Sequence, residues 1–477
     1  MTTPETIFDT ALSEFRNTAL FDQARDQAVN YMNEIHSDKP IDNQRSVFPD
    51  QSALDGLSAF DETFPEVPGN SREILETLHR FGSPATVAQT GGRYFGFVNG
   101  SAFPVALAAK WLADVWDQNA GLHIISPVAA KLEKVCEGWL TDLFGLPAST
   151  VAGFVSGTST ATFCGLAAGR NRILANMGWD IRTKGIFNAP RPRVIIGDQA
   201  HSTVFKALSL LGFGMDDLER VPCDNQGRMR ADCLPDMDNT CLVILQAGNV
   251  NTGAFDPLED ICSDIRSRAG DAWIHIDGAF GLWAAASSER SHLTRGMEKA
   301  DSWSVDAHKT LNTPYDCGIV LCRHPDPLVS ALQNTGDYII YGDQRDPMLY
   351  TPEMSRRARG VELWATMKFL GKSGIAALVE RLCRRARLMG ELLEKEGFIV
   401  RNDVVFNQVL VALPDEAATK AVLQQVQEDG TCWCGGSVWN GVAAIRISVC
   451  GWPTTEADIR DAAQAFARAK ASVENHL

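Results

Sequence analysis

Trp273-Ile274-His275-Ile276 runs straight into Asp277-Gly278-Ala279, an apolar segment of strand length that ends on a carboxylate followed by two of the smallest residues. Three further runs share its character: Arg193-Val-Ile-Ile-Gly197, Cys241-Leu-Val-Ile-Leu245 and Gly318-Ile-Val-Leu-Cys322. Short, β-branched and apolar on both faces, they read as parallel strands covered by helices on either side. Helical patterns lie between them, so the class is α/β.

Outward from these strands, residues 1 to about 100 form a first unit, with a helical opening around Ala11 to Ile35 and then connecting structure punctuated by Pro40, Pro49, Pro65, Pro68 and Gly69. Beyond residue 356 or so comes a basic helical run through Arg381, Arg384, Arg385 and Arg387, read as a solvated face. The alternating segments Val404 to Leu413 and Val442 to Val449 follow, which suggests a smaller α+β domain. The 44 Lys+Arg against 59 Asp+Glu leave a net charge of −15, which repels phosphate backbones and anionic membranes. The 12 cysteines are scattered and lack zinc-ribbon spacing, so no metal site is expected and a reduced cytoplasmic setting fits. Lys110 and Asp114 interrupt the most apolar stretch, Ala102 to Trp116, and Glu5 and Asp9 occupy the place of a secretory h-region. Gly371-Lys372-Ser373 is no phosphate loop because Thr366 stands where the motif needs glycine, and Arg93 breaks a dinucleotide fingerprint in Gly91-Gly-Arg-Tyr-Phe-Gly96.

Four motifs carry chemistry. Phe154-Val-Ser-Gly-Thr-Ser-Thr-Ala-Thr162 is a small-residue turn entering a helix whose apolar stripe is Phe163, Leu166, Ala167, Ile173, Leu174 and Met177. Its unpaired backbone N–H groups and hydroxyls at Gly157, Thr158 and Ser159 make either an anion cradle or a plain N-cap. At Asp277-Gly-Ala279 a flat ligand could lie against the Ala279 methyl with its nitrogen at Asp277, although such a carboxylate can also merely close a turn. Ser302-Trp-Ser-Val-Asp306-Ala-His308-Lys309-Thr310 ends a strand in a lysine that is a surface charge or, half buried, a nucleophile. His201, in Asp198-Gln-Ala-His201-Ser-Thr after a strand, covers an aromatic ring or belongs to an ordinary loop. Jointly, in the chain order cradle, histidine, aspartate, lysine, they suit pyridoxal 5′-phosphate, which needs an anion cradle, a stacking group, an acid at its pyridine nitrogen and a lysine for its aldehyde.

On these motifs the sequence resembles the group II pyridoxal phosphate-dependent amino acid decarboxylases, which include aromatic amino acid and glutamate decarboxylases. The resemblance runs from Tyr94-Phe-Gly-Phe97 to Ile445-Arg446-Ile-Ser448. It implies the fold-type I architecture: an N-terminal dimerisation segment (1–100), a large cofactor domain with a mostly parallel seven-stranded sheet (101–355) and a small C-terminal α+β domain (356–477). It implies Lys309 as the Schiff-base lysine, Asp277 as partner of the pyridine nitrogen, and His201 stacked on the ring and touching the substrate carboxylate. Gly157, Thr158, Ser159 and His308 would hold the phosphate, Asn249 would approach the cofactor and Ala279 would lie beneath it. Phe97 and Val98 would line the substrate pocket, and one of Tyr338, Tyr341 and Tyr350 would return a proton to Cα. The implied activity is decarboxylation of an L-amino acid by a cytoplasmic homodimer; an aminotransferase, aldolase, oxidative deaminase or inactive cofactor-binding relative is the alternative.

Departures from the family pattern point to a divergent member. Thr160-Ala161 replaces Glu-Ala, Gly248-Asn249-Val250 replaces Gly-Thr-Thr, and Asp306 replaces a neutral residue ahead of His308-Lys309. Because a carboxylate repels phosphate, Asp306 is expected to point away or to pair with a base. Arg446 has three readings: a clamp on the substrate α-carboxylate, a reader of a distal carboxylate, or a structurally paired arginine. The first works against decarboxylation, since it stabilises the ground state that must be discharged.

Overall fold

The computed structural model describes residues 6–333, 341 and 344–475. Seven strands form the larger sheet: β1 (Val151–Val155), β2 (Arg193–Gly197), β3 (Leu218–Val221), β4 (Cys241–Gln246), β5 (Trp273–Asp277), β6 (Ser302–Asp306) and β7 (Gly318–Cys322), in the order β1-β7-β6-β5-β4-β2-β3. The pairs β5–β6, β4–β5, β2–β4 and β2–β3 are parallel. The segment Gly318–Cys322 differs from its reading as one more parallel strand, for β7 is antiparallel to both β1 and β6. The turn that joins it to β6 is too short for a crossover connection, so the chain must reverse.

Both faces of the sheet are buried, which is why its strands carry no polar alternation. Ile195, Val243, Leu245, Ile274 and Ile276 face one core with Phe154, Trp283 and Trp303. Their neighbours Val194, Ile196, Leu242, Ile244 and Trp273 face a second core with Leu166 and Ile173 of the helix Thr158–Asn176. That helix lies very close to the sheet. A Cβ on Gly165 would come 2.8 Å from the His275 imidazole, and one on Gly169 2.6 Å from the Trp273 ring. Two glycines one helical turn apart therefore set the depth of the helix and aim its N-terminus at the strand ends.

The smaller sheet is antiparallel, in the order β10-β11-β9-β8, from β8 (Ile399–Val400), β9 (Gln408–Ala412), β10 (Gly435–Trp439) and β11 (Val442–Ser448). The helices Glu416–Asp429 and Glu456–Glu474 supply Val422, Val426, Ile459 and Phe466 to its core. The long helix Gly360–Lys395 touches both sheets' layers and is interrupted at Gly371, where Lys372 pairs with Asp142 at 2.5 Å. Its arginine run is only half solvated: Arg384 and Arg387 are exposed, but Arg381 donates to the Thr454 carbonyl at 2.9 Å and Arg385 pairs with Glu456 at 2.5 Å. Helical spacing put alternate arginines toward the C-terminal helix. Among the described residues no helix is long and apolar enough to cross a membrane.

Candidate active site

In a sheet built this way the carboxyl ends of the parallel strands open along one edge, and ligands sit beyond that edge. Here a cavity of about 220 Å³ lies there, lined by Val98, Gly157, Thr158, Ser159, His201, Asp277, Ala279, Asp306, His308 and Lys309 among others. Residues from five separate stretches of sequence thus converge.

One end of the cavity is the N-terminus of the helix Thr158–Asn176. Gly157 caps it without a side chain, and the Thr158 hydroxyl is buried with no hydrogen-bond partner among the described residues. A free helix terminus beside an orphaned buried hydroxyl is what a bound anion would satisfy. Beneath it β1 is clamped by buried ion pairs. Arg356 donates to the Phe154 carbonyl at 3.0 Å and pairs with Glu133 at 2.6 Å, while Arg345 pairs with Glu137 at 2.5 Å.

The opposite end is Asp277, at the tip of β5, whose carboxylate accepts from the Ala279 N–H at 3.2 Å. Burial pushes its carboxyl up from the usual range, while the nearby His201 and Lys309 oppose the shift. A buried acid of this kind is suited to a cationic ligand group. His201 caps the helix Ser202–Leu210: its Nδ1 lies 2.8 Å from the Thr203 hydroxyl and accepts from the Thr203 N–H at 3.3 Å. With Nδ1 an acceptor and burial holding its pKa down, the ring is neutral and carries its proton on Nε2.

Lys309 follows β6 in the reversal toward β7. Its Nζ lies 3.0 Å from Asp306 Oδ2, and His308 Nε2 lies 3.5 Å from the same oxygen. His308 also accepts at Nδ1 from the Cys317 N–H at 3.1 Å, is pushed down in pKa by burial and stacks on Tyr315 with ring centroids 4.2 Å apart. The backbone here passes tightly under Gly100, where an added Cβ would lie 2.2 Å from the Lys309 carbonyl. Only a residue without a side chain lets the two segments meet.

Not every expected residue faces the cavity. Asn249 is spent on its own turn: its Oδ1 accepts from the N–H groups of Asn251 and Thr252 at 2.9 and 3.2 Å and its Nδ2 donates to the Gln199 carbonyl, so its neighbours Gly248 and Val250 line the wall instead. Val98 is on the wall, whereas Phe97 is 60% exposed and stacks on Trp433 at 6.1 Å. Asp306 does not point away; it stays on the wall and pairs with Lys309. Arg446 lies on β11 outside the wall, but close enough to His201 and Tyr94 to affect their titration, and its buried Nε has no partner. Among the described residues no carboxylate is within ion-pair distance of it. Tyr350 is covered by the Arg345 guanidinium at 4.3 Å, and Tyr338 lies outside the described residues. Thr203, Gln246 and Phe280 also line the cavity and carried no sequence signal.

The family model for the pyridoxal-dependent decarboxylase conserved domain matches residues 55–413. The aromatic-L-amino-acid decarboxylase of Bacillus atrophaeus is 29% identical over 375 residues, covering 75% of this chain and 73% of its own. The 4-hydroxyphenylacetaldehyde synthase of Rhodiola rosea is 25% identical, covering 69% of this chain and 72% of its own. Among solved structures, that of Oryza sativa TDC with PLP and tryptamine superposes with a TM-score of 0.86 at 20% identity, over 96% of this chain and 98% of the other.

Proposed function

The chain belongs to the pyridoxal-dependent decarboxylase family, whose chemistry is pyridoxal phosphate-dependent decarboxylation of amino acids, and on that premise we propose how its own residues divide the work. The observation that carries the reading is one cavity in which a free helix N-terminus, a buried aspartate and a lysine amine meet from three strand ends.

Bound there, pyridoxal phosphate supplies a conjugated ring into which the electrons of a broken Cα bond can drain. Thr158 and Ser159 would hold its phosphate with the helix-terminal N–H groups, beside His308. Asp277 would keep a proton on the ring nitrogen, which would make the ring the stronger electron acceptor. Ala279 and the neutral His201 would flank the ring, with the His201 Nε2–H free to donate to a substrate carboxylate. Lys309 would be the amine that anchors the cofactor. Val98 and the largely buried cavity wall keep water from the departing carboxylate, whose charge disperses as carbon dioxide leaves. Arg446, desolvated and without an acidic partner, is the group that reads a substrate carboxylate remote from the reacting bond.

The division into residues 101–355 around the cofactor and 356–477 as the smaller domain belongs to the same reading. So do a homodimer formed through residues 1–100 and a cytoplasmic location, the latter supported by twelve unpaired cysteines. Borohydride reduction of the holoenzyme followed by peptide mapping tests the centre of the proposal: the label is expected on Lys309, and a label elsewhere overturns it. Incubation with an amino acid panel should release carbon dioxide and the amine. The likeness to an aldehyde synthase favours one alternative, in which the same panel yields aldehyde in place of amine.

A further inference from the structure

Asp306 is a second buried carboxylate at the phosphate end of the cavity. Its Oδ2 is paired with Lys309 at 3.0 Å, but its Oδ1 is buried and has no hydrogen-bond partner among the described residues. That oxygen faces the mouth of the cradle: a Cβ built on Gly157 would lie 3.7 Å from Asp306 Oδ1 and 3.4 Å from His308 Cε1. A phosphate seated on Thr158 and Ser159 would present acceptor oxygens to an acceptor oxygen, with like charges on both sides. One hydrogen between them removes both conflicts.

The charged and titratable groups that face Asp306 are Lys309, His308 and Tyr315 on the segment after β6, Asp277 on β5 and His201 before its helix. Neither histidine can take the hydrogen cheaply. His308 already accepts the Cys317 N–H at Nδ1 and His201 the Thr203 N–H, so a second ring proton would set donor against donor. The Tyr315 hydroxyl donates to Asn99 Oδ1 at 3.0 Å. Lys309 satisfies one carboxylate oxygen and leaves the other bare.

We propose that Asp306 takes up one proton when the cofactor phosphate is seated and donates it to a phosphate oxygen, so that cofactor affinity in this protein is proton-linked. The inference rests on the cofactor reading above. Its consequence is a site that holds its cofactor less tightly as the pH rises.

The full chain freed of cofactor is titrated calorimetrically with pyridoxine 5′-phosphate, which has no aldehyde to condense, and with pyridoxine as the phosphate-free control. Two buffers of different ionisation heat report proton uptake at about pH 8, where a phosphate ester with a second pKa of about 6 is fully dianionic. The phosphorylated ligand should draw about one proton per site more into the wild type than into Asp306→Asn. Its affinity relative to that of pyridoxine should fall about tenfold per pH unit in the wild type and stay level in the variant. Equal uptake in both proteins overturns the proposal, as does an uptake that survives Asp306→Asn but is lost in His308→Gln. With borohydride labelling at Lys309 intact, either result removes this inference alone; failure of both proteins to bind the phosphorylated ligand removes the cofactor assignment with it.

Discussion

Asp277 occupies surroundings that disfavour its own charge, and that mismatch is the clearest sign of a missing cationic partner. Two opposite effects of Asp277→Asn follow. In the holoenzyme the variant would lose the acid proposed to keep the ring nitrogen protonated, and turnover should fall about 10²- to 10⁴-fold, the range expected for removing a positioned acid–base group. In the cofactor-free chain the sign reverses. An aspartate whose folded pKa is raised gives stability below its unfolded pKa and loses it as pH rises through the folded one. The neutral variant should therefore melt higher than the wild type near neutrality, and a lower melting point there contradicts the assignment. That Lys309, Asp277 and His201 share one cavity was legible in the sequence because each lies at or just beyond the end of an apolar strand, where the ligand sites of such a sheet belong. Asn249 shows the limit of that logic. Its position was legible, but whether an amide faces a ligand or its own turn depends on backbone N–H groups two and three residues away. The partner of Asp306 illustrates the same limit, since repulsion said only that some base must meet it.

The strands were legible as elements because continuous apolar runs have few other uses, yet the direction of β7 was not, since direction depends on the length of the connection and not on the strand's composition. The clamp beneath β1 was invisible, being made by Glu133, Glu137, Arg345 and Arg356, which are far apart in sequence and individually look like surface charges. Glu133 is 1% exposed and faces two arginines, so Glu133→Ala leaves buried positive charge uncompensated. Loss of one partner from such a pair costs about 3–5 kcal/mol, which urea unfolding can measure; a cost below about 1 kcal/mol, typical of exposed pairs, would mean that the clamp is not holding β1. The exit of β4 is pinned in another way. Asp256 accepts from the N–H groups of Gln246 and Met229, both at 2.7 Å, and burial nevertheless pushes its carboxyl up to about 6. That rise corresponds to about 3 kcal/mol. By the same sign as for Asp277, wild-type stability should decline by that amount relative to Asp256→Asn between pH ~4 and pH ~7, whatever constant offset the substitution adds. Parallel stability curves for the two proteins would contradict the buried assignment.

At the scale of the whole molecule, the chain's first two helices leave no residue fully buried. Thr6–Asn17 and Ala19–Ile35 are at most half-buried, and Phe15 meets Phe21 across their junction with ring centroids 6.0 Å apart. Phe8 is 76% and Phe15 73% exposed, and the helix Pro104–Trp116 adds Leu112 and Val115 at 55% and 74%. Helices of 12 and 17 residues are marginal in water without a well-packed apolar face, and exposed apolar area of this extent is what the proposed dimer would cover. The net charge of −15 is unsuited to a polyanionic partner, and a second copy is the cover that the proposed homodimer would supply. Phe8→Glu combined with Phe15→Glu places two carboxylates on that face without touching the cavity residues. Sedimentation should find the wild type at twice the chain mass and the double variant at the chain mass. Because only an assembled state gains stability by mass action, the wild-type melting temperature should rise with protein concentration while that of the variant stays level. A wild type that sediments as a monomer at micromolar concentration, or a double variant that still pairs, would show that the opening helices are covered by something other than their own copy.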